Sequence, residues 1–337
     1  MSYITIDNIN SINAELSNYC NAACPMCARY FIDGILNKER VNSTHTTLNF
    51  LKDKIGEKLV RQLNRFTSCG NLGDGSMNPE CIEIYQWLRQ TNKNITLELH
   101  TNGGARNLDF WRELAKIGVH VIFAIDGLEN TNHLYRRNVQ WLKLIENVQA
   151  FIDAGGSATW AMLVFKHNEA QIEQCRTLSK QLGFKNFGVQ QSSRWADFDH
   201  IGNWRNMDKI PVSNYYLEKS SLLQAPSIGS GGNSQKINIT KDEFLTKKIN
   251  CKSYNLVKNF FEIYLAANGD VSPCCWLGDL KQHESKNIIK DYNKVNLYHS
   301  TLEEILHGDY FQELEKGIKG IENSYRLHTC YFTCGIN

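Results

Sequence analysis

ELSNYCNAACPMC (Glu15–Cys27) places three cysteines, Cys20, Cys24 and Cys27, within eight residues. The stretch just before them, Glu15–Tyr19, reads as a strand, so the thiols stand where the first strand of an α/β unit ends. A four-iron cube has four corners, and three cysteines leave one iron without a protein ligand. Such an iron can bind and activate a small molecule, by the logic that leaves a catalytic zinc one open position. On spacing alone, a three-cysteine zinc knuckle with a distant fourth ligand, or thiols packed in a core, stay open as other readings.

Outward from this stretch, a strand-then-helix rhythm continues to about residue 192. Candidate strands are Glu15–Tyr19, Arg65–Gly70, Ile95–Thr101, Val119–Asp126, Ala158–Val164 and Phe184–Gln190. Amphipathic stretches lie between them: Leu51–Leu63, Cys81–Gln90, Phe110–Ile117, Trp141–Ile152 and Glu169–Leu182. The alternation predicts parallel strands with crossover helices, in an open sheet or part of a barrel. In such folds the loops after the strands' C-terminal ends build the site. Those loops carry Gly70–Gly75, His100–Gly104, Asp126-Gly127, Phe165–Asn168 and Gln190–Arg194, each polar or glycine-rich.

After about residue 200 the rhythm stops. Residues 225–235 read as a flexible connector. Phe260–Ala266 alternates like a strand and runs into a hairpin turn at Asn268-Gly269-Asp270. Thr301 and Glu304 form a capping box that opens a helix through about Lys316. These features predict two domains, 1–210 and 211–337. The second carries Cys251, Cys274-Cys275, Cys330 and Cys334. Eight of the chain's eleven cysteines thus lie in two terminal groups, which core filling would not produce. In a reducing compartment such clusters point to metal or catalysis rather than disulfides.

With 37 basic and 35 acidic side chains, the net charge of +2 gives no sign of a nucleic-acid or anionic-membrane partner. No apolar run approaches the roughly 18 residues that span a bilayer, and the N-terminus lacks a secretory signal, so the expected location is cytoplasmic.

Cys20-x3-Cys24-x2-Cys27 after a first strand resembles the signature of the radical S-adenosylmethionine (SAM) superfamily, whose fold is a partial (β/α)6, TIM-like barrel; the resemblance covers most of residues 15–195. Met26 stands where the family usually carries an aromatic residue. The resemblance implies a SAM-binding [4Fe–4S] cluster whose open iron chelates S-adenosyl-L-methionine. Reductive cleavage then gives a 5′-deoxyadenosyl radical, which takes a hydrogen atom from the substrate. Gly70–Asp74 looks like the motif that holds the cofactor's amino group, with Gly73 and with Asp74 in place of a glutamate. Thr101, Asn102 and Asp126 end strands where the family contacts carboxylate and ribose; Asn168 and Arg194 follow as candidates for cofactor or substrate. Turn chemistry is the other reading of these polar residues, since Asn-Gly and Asp-Gly are common turn formers.

The C-terminal order of cysteines resembles the twitch and SPASM domains, which bind auxiliary [4Fe–4S] clusters. Two auxiliary clusters would take about seven or eight cysteines, and five lie here. One cluster is expected, on Cys251, Cys274, Cys330 and Cys334, with Cys275 spare or exchanging with Cys274; four thiolates would also suit a structural zinc. A fully ligated auxiliary cluster suits electron transfer and hence an oxidoreductase. Cys175 falls on a helical stripe of apolar residues, Cys81 has no obvious partner, and Cys69 precedes the Gly70–Asp74 turn. The substrate reads as a peptide or protein to be oxidised or crosslinked, or as a small-molecule alcohol such as a sugar or cyclitol. Few residues precede the first strand, which disfavours a leader-binding domain, and neighbouring genes would separate the two. A flavodoxin or ferredoxin is the expected reductant by family analogy. A non-catalytic zinc-stabilised binding protein is the reading from another class; it predicts a colourless protein without a response to the cofactor.

Overall fold

A computed structural model describes residues 4–41, 44–192, 194–198, 204–206, 209–212, 215–222, 241–255, 258–280, 284–321 and 325–335. The connector expected at 225–235 lies outside them. Six strands run parallel and in chain order: β1 (Ser11–Ala14), β2 (Arg65–Ser68), β3 (Thr96–Thr101), β4 (His120–Ala124), β5 (Ser157–Val164) and β6 (Asn186–Gln191). Their crossovers hold α1 (Leu48–Lys54), α2 (Gly56–Gln62), α3 (Cys81–Thr91), α4 (Leu108–Ile117), α5 (Glu129–Tyr135), α6 (Trp141–Asp153) and α7 (Ile172–Gln181). Consecutive helices pack side by side, α2 on α3, α3 on α4 and α4 on α6, so they form one layer. A sequential parallel sheet under a single helical layer is a partial barrel. The sheet does not close.

Alternation along each strand decides the two faces. Ile12, Phe66, Leu97, Leu99, Val121, Phe123, Trp160 and Met162 are buried toward the helices, where Phe123 meets the rings of Trp111, Phe151 and Phe184 at centroid distances of 5.3, 5.9 and 6.0 Å. The other face carries Ser11, Asn13, Arg65, Thr67, Glu98, His100, His120, Ser157 and Thr159. Its polar groups satisfy one another: Arg65 and Thr67 donate to Glu98, and His120 lies 2.8 Å from Ser157 Oγ and 2.9 Å from Thr159 Oγ1.

Two short antiparallel pairs follow, β7 (Ala196–Phe198) with β8 (Trp204–Asn206), and β9 (Lys209–Val212) with β10 (Tyr215–Glu218). The chain then makes α8 (Lys241–Thr246), β11 (Tyr254–Asn255), β12 (Phe260–Leu265), β13 (Val271–Ser272), α9 (Leu302–Leu306), α10 (Asp309–Lys319) and α11 (His328–Cys334). β12 returns to the main sheet and pairs in parallel with β1, Ser11 opposite Glu262, and β13 pairs antiparallel with β12. Among the described residues no helix is long and apolar enough to cross a membrane.

Three boundaries differ from expectation. The first strand lies at Ser11–Ala14 rather than Glu15–Tyr19, because Ser11 and Asn13 are polar although buried, which masks the strand's apolar signal. The helix expected at Leu51–Leu63 is two helices, split where Gly56 adopts φ +73°. The capping box at Thr301 forms as expected, Thr301 Oγ1 accepting from Glu304 N at 3.2 Å, but α9 ends at Leu306 and a new helix starts after Gly308.

Candidate active site and auxiliary cluster site

The loop that bears Cys20, Cys24 and Cys27 lies across the C-terminal ends of the parallel strands and is tied to the loops after β2, β3, β4 and β6. Cys24 is buried, while Cys20 and Cys27 are partly exposed. Arg29, just past the third cysteine, is buried and donates from Nη1 to Asn18 O and to Leu72 O, both at 3.0 Å. It thereby joins the cysteine loop to the Gly70–Asp74 loop. Asp74 N donates to Tyr19 O at 2.9 Å. Gly73 packs so closely that a Cβ there would sit 1.9 Å from Ser17 O, which only glycine avoids.

Asp74 is 4% exposed and carries the densest set of contacts. One oxygen accepts from Ser76 N (3.0 Å) and Ser76 Oγ (2.7 Å); the other accepts from Thr101 Oγ1 (2.9 Å), Asn102 N (2.8 Å) and Asn102 Nδ2 (2.7 Å). Five donors leave this carboxylate little capacity for a further one, so its part here is to lock the ends of β2 and β3 together. Asn102 also reaches Asn21 Oδ1 (2.9 Å) and Cys20 Sγ (3.6 Å).

Asp126, at the end of β4, is fully buried. Its Oδ2 accepts from Arg136 Nε at 2.6 Å and its Oδ1 from Leu163 N at 2.6 Å. Arg136 in turn points Nη1 at Cys24 Sγ, 3.7 Å away. Burial pushes the Cys24 thiol up to about 11, with the Arg136 guanidinium acting against the rise. Burial raises Cys20 further, and the Asp74 carboxylate adds to it. Asn168 is fully buried and holds the β5 turn, accepting from Phe165 N and donating to Asp126 O and Leu163 O. Arg194 is exposed and reaches Met26 O at 3.4 Å. The structure thus gathers Gly73, Asp74, Thr101, Asn102, Asp126 and Arg194 around the three cysteines, and Asn168 behind Asp126.

Sequence reading missed Arg29, Arg136 and Glu15. Nothing in spacing marks the two arginines. Glu15 had a signal: two residues beyond Asn13, it continues the polar face of β1.

Some distance away, α11 carries Cys330 and Cys334 one turn apart, on one face. They line an apolar recess with Cys251, Cys274, Ile249, Leu277, Leu314 and Ile318. Cys251 and Cys334 share a hydrogen bond, which raises Cys251 and lowers Cys334. Cys275 does not line this recess; it lies on the barrel side near Cys69, where burial pushes it up to about 12. Among the described residues no three Cys, His, Asp or Glu side chains close around one point as ligands of a single ion do. Three thiols at a polar, donor-lined loop cluster and four around an apolar recess match in number the donor sets of an incompletely and a fully ligated iron–sulfur cube.

The Radical SAM superfamily model matches residues 14–178, and the model of the SPASM iron–sulfur cluster-binding domain matches residues 258–335. A search of curated protein sequences finds no match. Among solved structures, SuiB of Streptococcus suis bound to S-adenosylmethionine is 14% identical, with a TM-score of 0.57 over 89% of this chain and 66% of that one. SuiB bound to its precursor peptide SuiA is 13% identical, with a TM-score of 0.58 over 97% and 69%. Native anSMEcpe with AdoMet and the Cp18Cys peptide is 13% identical, with a TM-score of 0.57 over 97% and 88%. The chain carries a radical SAM domain followed by a C-terminal SPASM-type iron–sulfur domain.

Proposed function

We propose that this radical SAM enzyme, whose cofactors are S-adenosylmethionine and [4Fe–4S] clusters, oxidises or crosslinks a peptide or protein substrate. The observation that carries the reading is the separation of two thiol sets, Cys20, Cys24 and Cys27 among saturated polar loops and Cys251, Cys274, Cys330 and Cys334 in one recess. When bound, the first cluster and S-adenosylmethionine supply a radical able to remove a hydrogen atom from substrate, and the second cluster supplies an electron acceptor. The chain's own residues do the rest. Cys20, Cys24 and Cys27 hold one cluster on a domain of residues 1–210, and the other four cysteines hold the second on residues 211–337. Arg29, Asp74 and Asn102 fix the loops around the first. Gly73, Thr101, Asp126 and Arg194 complete its cofactor-binding wall, with Asn168 supporting Asp126 from behind; Arg194 is the exposed member and the one placed to meet a ligand.

Two neighbours of the same fold are recorded with peptides bound, which supports a peptide substrate here. The polar, self-paired inner face of the sheet (Arg65, Glu98, His120, Ser157, Thr159) equally suits a hydroxylated small molecule, so dehydrogenation of an alcohol is the second reading. A cytoplasmic location and a flavodoxin- or ferredoxin-type reductant belong to the proposal.

The test is iron and sulfide content after anaerobic reconstitution, with dithionite-dependent 5′-deoxyadenosine formation in the same samples. Wild type should hold about eight irons per chain, and the Cys20→Ala/Cys24→Ala/Cys27→Ala variant about four, with nucleoside from wild type only. About four irons in wild type would remove the auxiliary cluster and the oxidative mechanism with it.

A further inference from the structure

Glu15 is 2% exposed and follows β1 directly. Its Oε1 accepts from the backbone N–H groups of Leu72 and Gly73, the latter at 3.0 Å. Its Oε2 accepts from Tyr264 Oη at 3.1 Å. Among the described residues no cation bonds to it, and Asp279 is an unfavourable neighbour. A buried carboxylate without a counter-ion is costly and persists only when donors saturate it. Here two of the three donors belong to one loop, Gly70–Asp74.

That loop is gripped from both sides. The Leu72–Gly73 peptide gives its N–H to Glu15 and its carbonyl to Arg29 of the cysteine loop, at 3.0 Å. Asn71 Nδ2 donates to Cys275 O at 2.7 Å, and Cys275 adjoins Cys274 of the auxiliary recess. Tyr264 sits on β12, the strand that leads into the same recess. Both cysteine-bearing parts of the chain therefore terminate on the Gly70–Asp74 loop, and Glu15 is the side chain where they meet.

We infer that Glu15 is a positioning residue: with Tyr264, it fixes the backbone of the Gly70–Asp74 loop in the shape that receives S-adenosylmethionine. The inference rests on the reading that this loop holds the cofactor. What matters is acceptance of two N–H groups, so an uncharged side chain with the same reach does the same work. A glutamine can offer its carbonyl oxygen to Leu72 and Gly73 and its amide N–H to Tyr264 Oη.

The experiment compares wild type with Glu15→Leu, Glu15→Gln and Tyr264→Phe. On the apo chain, hydrogen exchange of the Leu72 and Gly73 amides should be accelerated in Glu15→Leu and near wild type in Glu15→Gln. On reconstituted enzyme with wild-type iron content, Glu15→Leu should raise KM for S-adenosylmethionine by about tenfold or more with a much smaller change in kcat, while Glu15→Gln stays within about threefold of wild type. Tyr264→Phe removes one hydroxyl without disturbing the fold, and should raise the same KM by about threefold. Equal amide protection and equal KM in wild type and Glu15→Leu would overturn the inference. Should Glu15→Leu not fold, unchanged KM and unchanged amide exchange in Tyr264→Phe would overturn it. Wild type that binds no S-adenosylmethionine would refute the cofactor reading of the loop instead, and the amide-exchange arm would still report the anchor.

Discussion

Replacing Arg136 with methionine is the sharpest test of how the cysteine loop is supported. Arg136 is the only side-chain cation bonded to Asp126 among the described residues, at 2.6 Å, and the Asp126 side chain is fully buried. Without the guanidinium, that carboxylate keeps one backbone donor to its oxygens, Leu163 N. Leaving a buried charge uncompensated costs about 3–5 kcal/mol. Arg136→Met/Asp126→Asn removes both charges and keeps an acceptor for Leu163 N, so most of that loss should return. The assay is urea unfolding of the reduced apo chain, with stability taken by linear extrapolation. The sign of the pH effect follows from the same geometry. Burial already raises Asp126 above its ordinary value, with Arg136 opposing the rise. In the single variant it rises further, so the folded form binds a proton that the unfolded chain lacks, and the deficit should shrink as pH falls from about 8 to about 5. A loss below about 1 kcal/mol, or a double variant no more stable than the single one, would refute the argument.

Other outcomes follow from the same contacts. Cys274→Ser should reduce reconstituted iron from about eight to about four per chain, whereas Cys275→Ser, altering a residue outside the recess, should leave it unchanged; equal iron counts would reassign the ligand. Gly73→Ala should displace the loop from Ser17 and weaken S-adenosylmethionine binding, measured by equilibrium dialysis, without loss of auxiliary-cluster iron. Glu15 is raised by burial from 4.5 to about 7. The folded chain therefore keeps a proton that the unfolded chain releases, and stability should fall by roughly 3 kcal/mol as pH rises from about 4.5 to about 7. That slope, measured by denaturation at several pH values, should flatten in Glu15→Gln.

Much of the barrel was legible because its apolar face obeys simple periods. Strands ending at Thr101 and Val164 and helices such as Cys81–Thr91 and Trp141–Asp153 fall within a residue or two of expectation. The failures share a cause. β1 lies four residues earlier than expected because Ser11 and Asn13 are polar although buried, and a strand with one polar face and few residues carries little signal. α5 was missed because Glu129–Tyr135 is short and its buried members include Thr131 and Asn132, held by local hydrogen bonds rather than an apolar stripe. The cysteines announced themselves by spacing, and the choice between Cys274 and Cys275 did not, since adjacent residues leave an extended chain in opposite directions. Arg29 and Arg136 depend on contacts far apart in sequence, Arg136 with Cys24 among them, and no local pattern encodes those.

The place of β12 has a consequence for how the chain must be made. β1 leaves the ribosome before β2 to β6, yet one of its two flanking partners, opposite it at Glu262, is synthesised some 250 residues later than β1. Until then the nascent barrel presents the unpaired edge of its first strand, of the kind that recruits other chains. A fragment ending near residue 210 would keep that edge permanently, and would also lack Tyr264 to hold Glu15. Cleaving the protein between its two cysteine groups would therefore yield an aggregation-prone half rather than a smaller enzyme, and pairing at this parallel edge can close only after most of the chain has emerged.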